Sequence, residues 1–417
     1  MGHSIAKALA LSILCAGPAS GALAQGNQDA RASLTPSSDY TFRTIAQSGA
    51  RSDRIKQTLL GIKLPEGFTI TLYAMVPGAR HMAVGPGGRV TFVGTRGDKV
   101  WAITDRNGDG IADEVKDLAP WLDFTMPNGV CFSTAGDLYV AEQNRVLRFP
   151  DAEAMAASPQ LAAFEVVKRG ELIPRAFEAR NHSARVCAFG PDGKLYISLG
   201  QPFNVTPKEN LEAYDKWGIG GIIRLNADGS GRQVYTLGIR NSVGHAFNPA
   251  NGELWFTDNQ VDGMGDDIPP GELNRQTAMG QNFGFPWYGG GAVRTNEYLD
   301  ETPPGDVVMP AVEFIAHAAD LGMMFYTGTQ FPALYAGGIF HAQHGSWDRT
   351  VPTGAQVMFT AVGADGSAGK SVVFASGWID GNGEYLGRPV DVAQLADGSI
   401  LVSDDRAGAI YRIAYGK

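Results

Sequence analysis

Two stretches of the sequence carry oxygen ligands at spacings that suit a hard cation. In DRNGDGIADE (105–114), Asp105, Asn107, Asp109 and Ile111 alternate as the ligands of a calcium loop do, with Gly110 at the sharp turn. The twelfth position is Lys116, so the EF-hand pattern is incomplete, and Asp113, Glu114 or Asp117 would have to close a shorter site. A structural Ca²⁺ and an Asx-rich hairpin turn stand level as readings of this loop. The second stretch, 258–267, offers Asp258, Asp262, Asp266 and Asp267 among glycines. Cation binding through oxygen is open to it, but its composition alone favours a solvated acidic loop. A third group is basic or imidazole: His182, Arg240 with Asn241, and Arg388. Each stands a few residues ahead of an alternating strand pattern.

The elements that must position these residues repeat along the chain. Compare HMAVGPGGRVTFVG (81–94), GVCFSTAGDLYVAE (129–142), VCAFGPDGKLYISL (186–199), HAFNPANGELWFTD (245–258) and DVAQLADGSILVSD (391–404), with a degenerate copy in 322–343. The shared pattern is strand, Pro/Asp/Gly turn, strand, with turn glycines Gly88, Gly136, Gly193, Gly252, Gly338 and Gly398. A repeated antiparallel unit of this length points to a β-propeller. Six copies predict six blades of four antiparallel strands, hence an all-β chain. GFTITLYAM (67–75) precedes the first copy and is expected to close the ring on the last blade, removing an exposed edge. Short helical turns are expected only at 151–157 and 208–214. Counted back from the turn glycine, His182 and Asn241 share an offset of 11, Arg388 sits at 10, and Asn128 and Arg80 at 8. In a propeller these positions converge on one mouth.

Residues 1–24 read as a secretory signal: Lys7, an apolar run, and Ala22–Leu23–Ala24 as a small-x-small cleavage site. Residues 25–57 then form an N-terminal extension, and 58–417 the propeller. Removal of the signal leaves 33 basic against 43 acidic residues, which argues against nucleic acid or an anionic membrane as partner. The apolar run is too short for a good membrane span, and no later segment is long enough. Cys131 and Cys187 occupy similar places in two repeats, and two buried free thiols are expected rather than a disulfide. His81 and His245 read as core histidines with their hydrogen bonds satisfied, and His317 shows no evident partner. Trp347, Tyr326 and Trp287 read as core aromatics, and Asp266–Asp267 and Asp404–Asp405 as surface turns. No P-loop, dinucleotide fingerprint or nucleophile elbow is present, which removes nucleotide and triad-hydrolase readings.

In order along the chain, RNHSARVCAFGPDGKLY, RNSVGHAFNPANGELWF, ELNRQTAMGQNFGFPW, MMFYTGTQFPALYAGGIF and GRPVDV resemble the pyrroloquinoline quinone (PQQ)-dependent glucose/sorbosone dehydrogenases. The resemblance covers roughly residues 60–415, and GTRGDKVWAITDRNGDGIADEV and AQHGSWDR look most like the sorbosone branch. It implies a quinoprotein that oxidises an aldose or a sugar aldehyde. The histidine heading the third blade is the general base in that family, and His182 matches it. Arg240 and Asn241 match quinone-binding residues. Ca²⁺ is implied near Gln260 and Val261 through backbone carbonyls, which reverses the solvated-loop reading of 258–267. Arg388 matches the first arginine of a GRxRD phrase whose second arginine is absent. Arg349, His344 and Arg80 are candidate substitutes, and Thr125 or Asn128 stands where some members offer a glutamine. An external electron acceptor such as a cytochrome, and a periplasmic or secreted location, follow from the same resemblance. Two rivals remain: a calcium-dependent lactonase on a six-bladed propeller, and a non-catalytic propeller that binds carbohydrate or protein.

Overall fold

Five of the six repeats bend where a glycine adopts left-handed backbone: Gly88, Gly136, Gly193, Gly252 and Gly398 have φ between 69° and 88°, a region that a Cβ disfavours. In the fifth repeat the left-handed glycine is Gly337 (φ 72°), not Gly338. A short 3₁₀ turn, Ala333–Tyr335, displaces the bend by one residue there. The computed structural model describes residues 1–2, 33–35, 40–156 and 161–416. The chain divides into Met1–Ala32 and Ser33–Lys417. The expected signal peptide, beyond its first two residues, lies outside the described residues.

Six antiparallel blades of four strands follow in chain order, the second extended by a fifth strand. Blade 1 is Met82–Val84, Val90–Val93, Trp101–Thr104 and Glu114–Asp117. Blade 2 is Gly129–Phe132, Leu138–Glu142, Arg145–Phe149 and Ala163–Val167, with Ser33–Leu34 as a fifth strand. Blade 3 is Cys187–Phe189, Leu195–Leu199, Gly221–Leu225 and Gln233–Thr236. Blade 4 is Gly244–Phe247, Leu254–Asp258, Gly271–Gln276 and Val312–Phe314. Its last two strands are separated by an insertion that holds a small hairpin, Tyr288–Gly290 with Val293–Arg294. Blade 5 is Asp320–Phe325, Ile339–Gln343, Gln356–Val362 and Ala368–Ala375. Blade 6 is Pro389–Gln394, Ile400–Asp404 and Ala409–Tyr415, completed by Phe68–Met75. Phe68 pairs Tyr415 and Met75 pairs Ala409, so the segment ahead of the first repeat closes the ring as expected. Pairing satisfies the strand edge that would otherwise be open.

The core lies between blades. Phe331, Tyr335, Phe340, Phe359 and Phe374 meet Phe68 and the buried residues of blade 6 in one aromatic cluster. Burying each such ring stabilises by about 1.5–3 kcal/mol. Val186, Val243, Leu321 and Val390, one from each of blades 3 to 6, form a smaller apolar set at the starts of their inner strands. Helical structure at Ala152–Met155 and over Lys208–Trp217 falls where expected. The helix Ala50–Leu59 was not foreseen, because only Ser52, Ile55 and Leu59 are buried, which leaves two large apolar side chains to mark a helical period. Cys131 and Cys187 are joined in a disulfide with Cα atoms 5.8 Å apart, against the expectation of free thiols. They sit on the inner strands of adjacent blades, where ring closure brings equivalent positions together.

Candidate functional site

The residues ahead of the inner strands do converge. They line a cavity of about 460 Å³ whose wall includes Arg80, Arg96, His182, Arg240, Asn241, Gln260, Asp262, His317, His344 and Trp347. Val243 and Leu321 from the axial apolar set complete it.

His182 is held with left-handed backbone (φ 49°), a strain of about 1–3 kcal/mol for a non-glycine residue. Its Nδ1–H donates to the carbonyl oxygen of Gln201 at 2.6 Å. That bond sets the tautomer and leaves Nε2 with its lone pair. Burial, then the Arg240 charge, lowers the imidazole to about 4, so it is neutral at pH 7. Gly200 gives the ring its room: a Cβ there would lie 2.5 Å from Asn241 Oδ1 and 2.6 Å from the His182 carbonyl oxygen.

Arg240 is 4% exposed and heavily tied. It donates to Asn204 and to Asp262 Oδ2, the latter at 2.7 Å. Asp258, buried behind it, accepts the backbone N–H groups of Arg240, Asn241 and Asn259. Burial pushes Asp258 up to about 6. Its cross-strand partner is Glu272. Burial and the Asp258 charge push Glu272 up to about 8. Arg80 donates to Asn128 Oδ1 at 3.0 Å and pairs with Asp405 at 2.5 Å. His344 Nε2 lies 2.9 Å from Asp405. Burial lowers His344 to about 4. Arg96 also faces the cavity and is exposed. It has no ion pair among the described residues.

The sequence-predicted residues separate into two sets. His182, Arg240, Asn241, Gln260, His344 and Arg80 line the cavity. Asn128, Val261, Arg388 and Arg349 do not. Asn128 sits behind Arg80. Arg388 donates to the carbonyls of His344 and Gly345 and supports that loop from outside. Arg349 is spent on the Asp266 carbonyl and Asp267. Asp105, Asn107 and Asp109 lie between the outer strands of blade 1. Their oxygens accept the N–H groups of Gly108, Gly110, Asp109 and Ile111, as in Asx turns.

Four expectations change. Trp347 is 72% exposed at the cavity, not core. Asp404 is buried, accepting from Tyr411 and from the Ala407 N–H, and Asp405 holds Arg80 and His344, so this pair is no surface turn. His245 is core, but neither ring nitrogen has a hydrogen-bond partner. His317 has partners: its Nε2–H donates to Gly265 O and Ile268 O, and Nδ1 lies 3.2 Å from Asp348. Arg96, Asn204 and Asp348 were missed. The first sits in the quoted GTRGDK phrase, but nothing in its spacing marks it as cavity-facing.

Residues 114–412 match the family described as glucose/sorbosone dehydrogenase. An uncharacterised protein of Borreliella burgdorferi is 33% identical over 249 residues, which are 59% of this chain and 64% of that protein. The match therefore spans less than two thirds of that relative. Among solved structures, a calcium form of a Trichoderma reesei protein of carbohydrate-active family AA12 superposes with a TM-score of 0.69 at 20% identity, covering 85% of this chain and 97% of that one. The holo PQQ domain of Coprinopsis cinerea pyranose dehydrogenase gives 0.65 at 17%, covering 85% and 97%. The apo soluble aldose sugar dehydrogenase of Escherichia coli gives 0.58 at 17%, covering 84% and 99%. At these identities the structural likeness speaks for the fold. The ordered phrases, the six blades and the match over residues 114–412 agree: the chain belongs to the glucose/sorbosone dehydrogenase family.

Proposed function

We propose that this chain is a PQQ-dependent oxidoreductase acting on an aldose or on a sugar aldehyde such as sorbosone. The observation that carries the reading is a neutral, tautomer-fixed His182 in a cavity walled by three arginines. PQQ has three carboxylates, and guanidinium groups are the side chains best suited to hold them. Arg96 faces the cavity without an ion pair among the described residues, Arg80 and Arg240 face it paired with Asp405 and Asp262, and the cavity volume suits a small tricyclic ligand.

When bound, the quinone supplies a two-electron acceptor for hydride from the sugar carbon. The chain supplies the rest. His182 Nε2 takes the hydroxyl proton while Nδ1–H···O=C of Gln201 steadies the imidazolium that forms. Arg240, held by Asp262 and Asn204, keeps a positive charge beside the reacting centre. Asn241 presents an amide to the same space. Ca²⁺, which the resemblance places at the backbone of Gln260 and Val261, belongs to this proposal, as do an external acceptor such as a cytochrome and a periplasmic or secreted location. The Cys131–Cys187 disulfide supports export. Among the described residues no helix is long and apolar enough to cross a membrane.

The test is reconstitution with PQQ and Ca²⁺, followed by dye-linked oxidation of an aldose and aldehyde panel. Failure to bind PQQ together with no turnover of any of them would sink the reading. A metal-dependent lactonase draws on one observation, the Asp262–His317–Asp348 cluster, and predicts lactone opening by the quinone-free protein.

A further inference from the structure

Asp262, His317 and Asp348 each present a ligand atom within 4.8 Å of the others. They come from three separate loops: the one after Leu254–Asp258, the link between blades 4 and 5, and the one after Ile339–Gln343. His317 is 2% exposed and held in left-handed backbone (φ 63°). The fold thus maintains a strained, buried imidazole at this point.

The state of that ring is constrained. Nε2 faces two carbonyl oxygens, Gly265 at 2.8 Å and Ile268 at 3.1 Å, so it carries a proton. In the neutral ring Nδ1 is then a bare lone pair. Yet Nδ1 lies 3.2 Å from Asp348 Oδ1, an oxygen that accepts no hydrogen bond. Asp262 adds a second carboxylate. Arg240 already offsets the Asp262 charge, and the Gln260 amide nitrogen as placed donates to Nδ1. Asp348 Oδ1, however, faces the Nδ1 lone pair with no donor or cation between them. A proton on Nδ1 or a metal ion would relieve that contact.

Gln260 favours the metal. It is 6% exposed, its side-chain nitrogen is 3.1 Å from His317 Nδ1, and its Oε1 is buried with no partner. Turning the amide end for end places the oxygen at the same point, giving an imidazole, two carboxylates and an amide oxygen around one centre. The backbone carbonyls that fix His317 are the outer-shell support that metal-binding histidines generally have. A nitrogen donor in the set selects against Ca²⁺, which takes oxygen ligands, and for a first-row metal such as Mn²⁺ or Zn²⁺.

We propose that Asp262, His317 and Asp348, with Gln260 as fourth ligand, bind one divalent first-row metal ion in the cavity wall. The site is built from side chains, apart from the backbone carbonyls implied for Ca²⁺, and does not depend on the dehydrogenase reading. Asp262 is shared with Arg240, so the ion also sets the charge that Arg240 presents to the cavity.

The experiment is calorimetric titration of the chelator-treated full chain with Mn²⁺, Zn²⁺ and Ca²⁺, without quinone. One Mn²⁺ or Zn²⁺ per chain, bound at least tenfold more tightly than Ca²⁺, is expected. Asp348→Asn should weaken it at least tenfold with an unchanged melting temperature, and His317→Ala should remove it. Absence of stoichiometric binding, preference for Ca²⁺, or binding unchanged in both variants overturns the proposal. Nitrogen NMR of histidine offers an independent readout. A His317 Nδ1 that stays protonated at saturating metal also overturns it.

Discussion

His182 Nδ1 lies 2.6 Å from the carbonyl oxygen of Gln201, across the mouth of one blade. The two residues flank the inner strand pair of blade 3, so the strand register itself sets the tautomer of the ring. The bond leaves Nε2 as the single proton acceptor, and burial, reinforced by the Arg240 charge, keeps the ring from charging.

Replacing His182 with Ala should therefore lower dye-linked turnover by about 10²-fold or more while PQQ binding persists. Steady-state kinetics and a quinone titration separate the two effects. In the wild type, kcat/KM should fall as the pH drops through about 4, where the ring gains its proton. An acid limb near the ordinary histidine value would contradict the burial argument.

Gly200→Ala tests the same geometry from behind. The new methyl would press on Asn241 Oδ1 and on the His182 carbonyl. We expect a stability loss of about 1–3 kcal/mol by denaturant titration, with a larger proportional loss of activity. An unchanged kcat would show that the pocket absorbs the methyl group.

Arg96 and Arg80 should separate binding from folding. Arg96→Met removes an exposed guanidinium without an ion pair, so quinone affinity should fall about tenfold with little change in stability. Arg80→Met leaves Asp405 with His344 as its remaining partner and takes the donor from Asn128 Oδ1, so it should cost about 1–3 kcal/mol of stability as well. Equal effects of the two on unfolding would contradict this division.

Glu272 gives a pH signature to stability. Its folded value is raised to about 8 against an ordinary 4.5, so the folded protein holds a proton that the unfolded chain releases. That stabilisation is complete below the unfolded value and is lost as the pH rises through about 8. Melting temperatures between pH 6 and 9 should decline less steeply in Glu272→Gln than in the wild type.

Cys131→Ser with Cys187→Ser should lower stability by about 2–4 kcal/mol, because the bridge closes a long loop, 56 residues apart in sequence. A reducing agent should reproduce the loss in the wild type.

The sequence by itself determined the six blades, the closing strand and the position of His182. These follow from local rules: alternation with period two, a glycine at each tight bend, and a fixed offset from bend to mouth. The offset from the turn glycine also brought Asn241 and Arg80 to the cavity, each shortly ahead of its repeat, whereas Asn128, at the same offset as Arg80, sits behind it. What only the tertiary structure decided are the meetings between blades. Arg388 and Arg349 have suitable charges, and Arg388 a nearly suitable offset, yet neighbouring loops take up their donors before the cavity does. His317 looked partnerless because its carboxylate, Asp348, is supplied by the next blade. Cys131 and Cys187 looked like separate thiols because their adjacency exists only once the ring has closed. Alternation and turn chemistry act over a few residues and can be read along a chain. Partner choice across a closed ring depends on which side chains the closure brings within reach, and no local spacing encodes that.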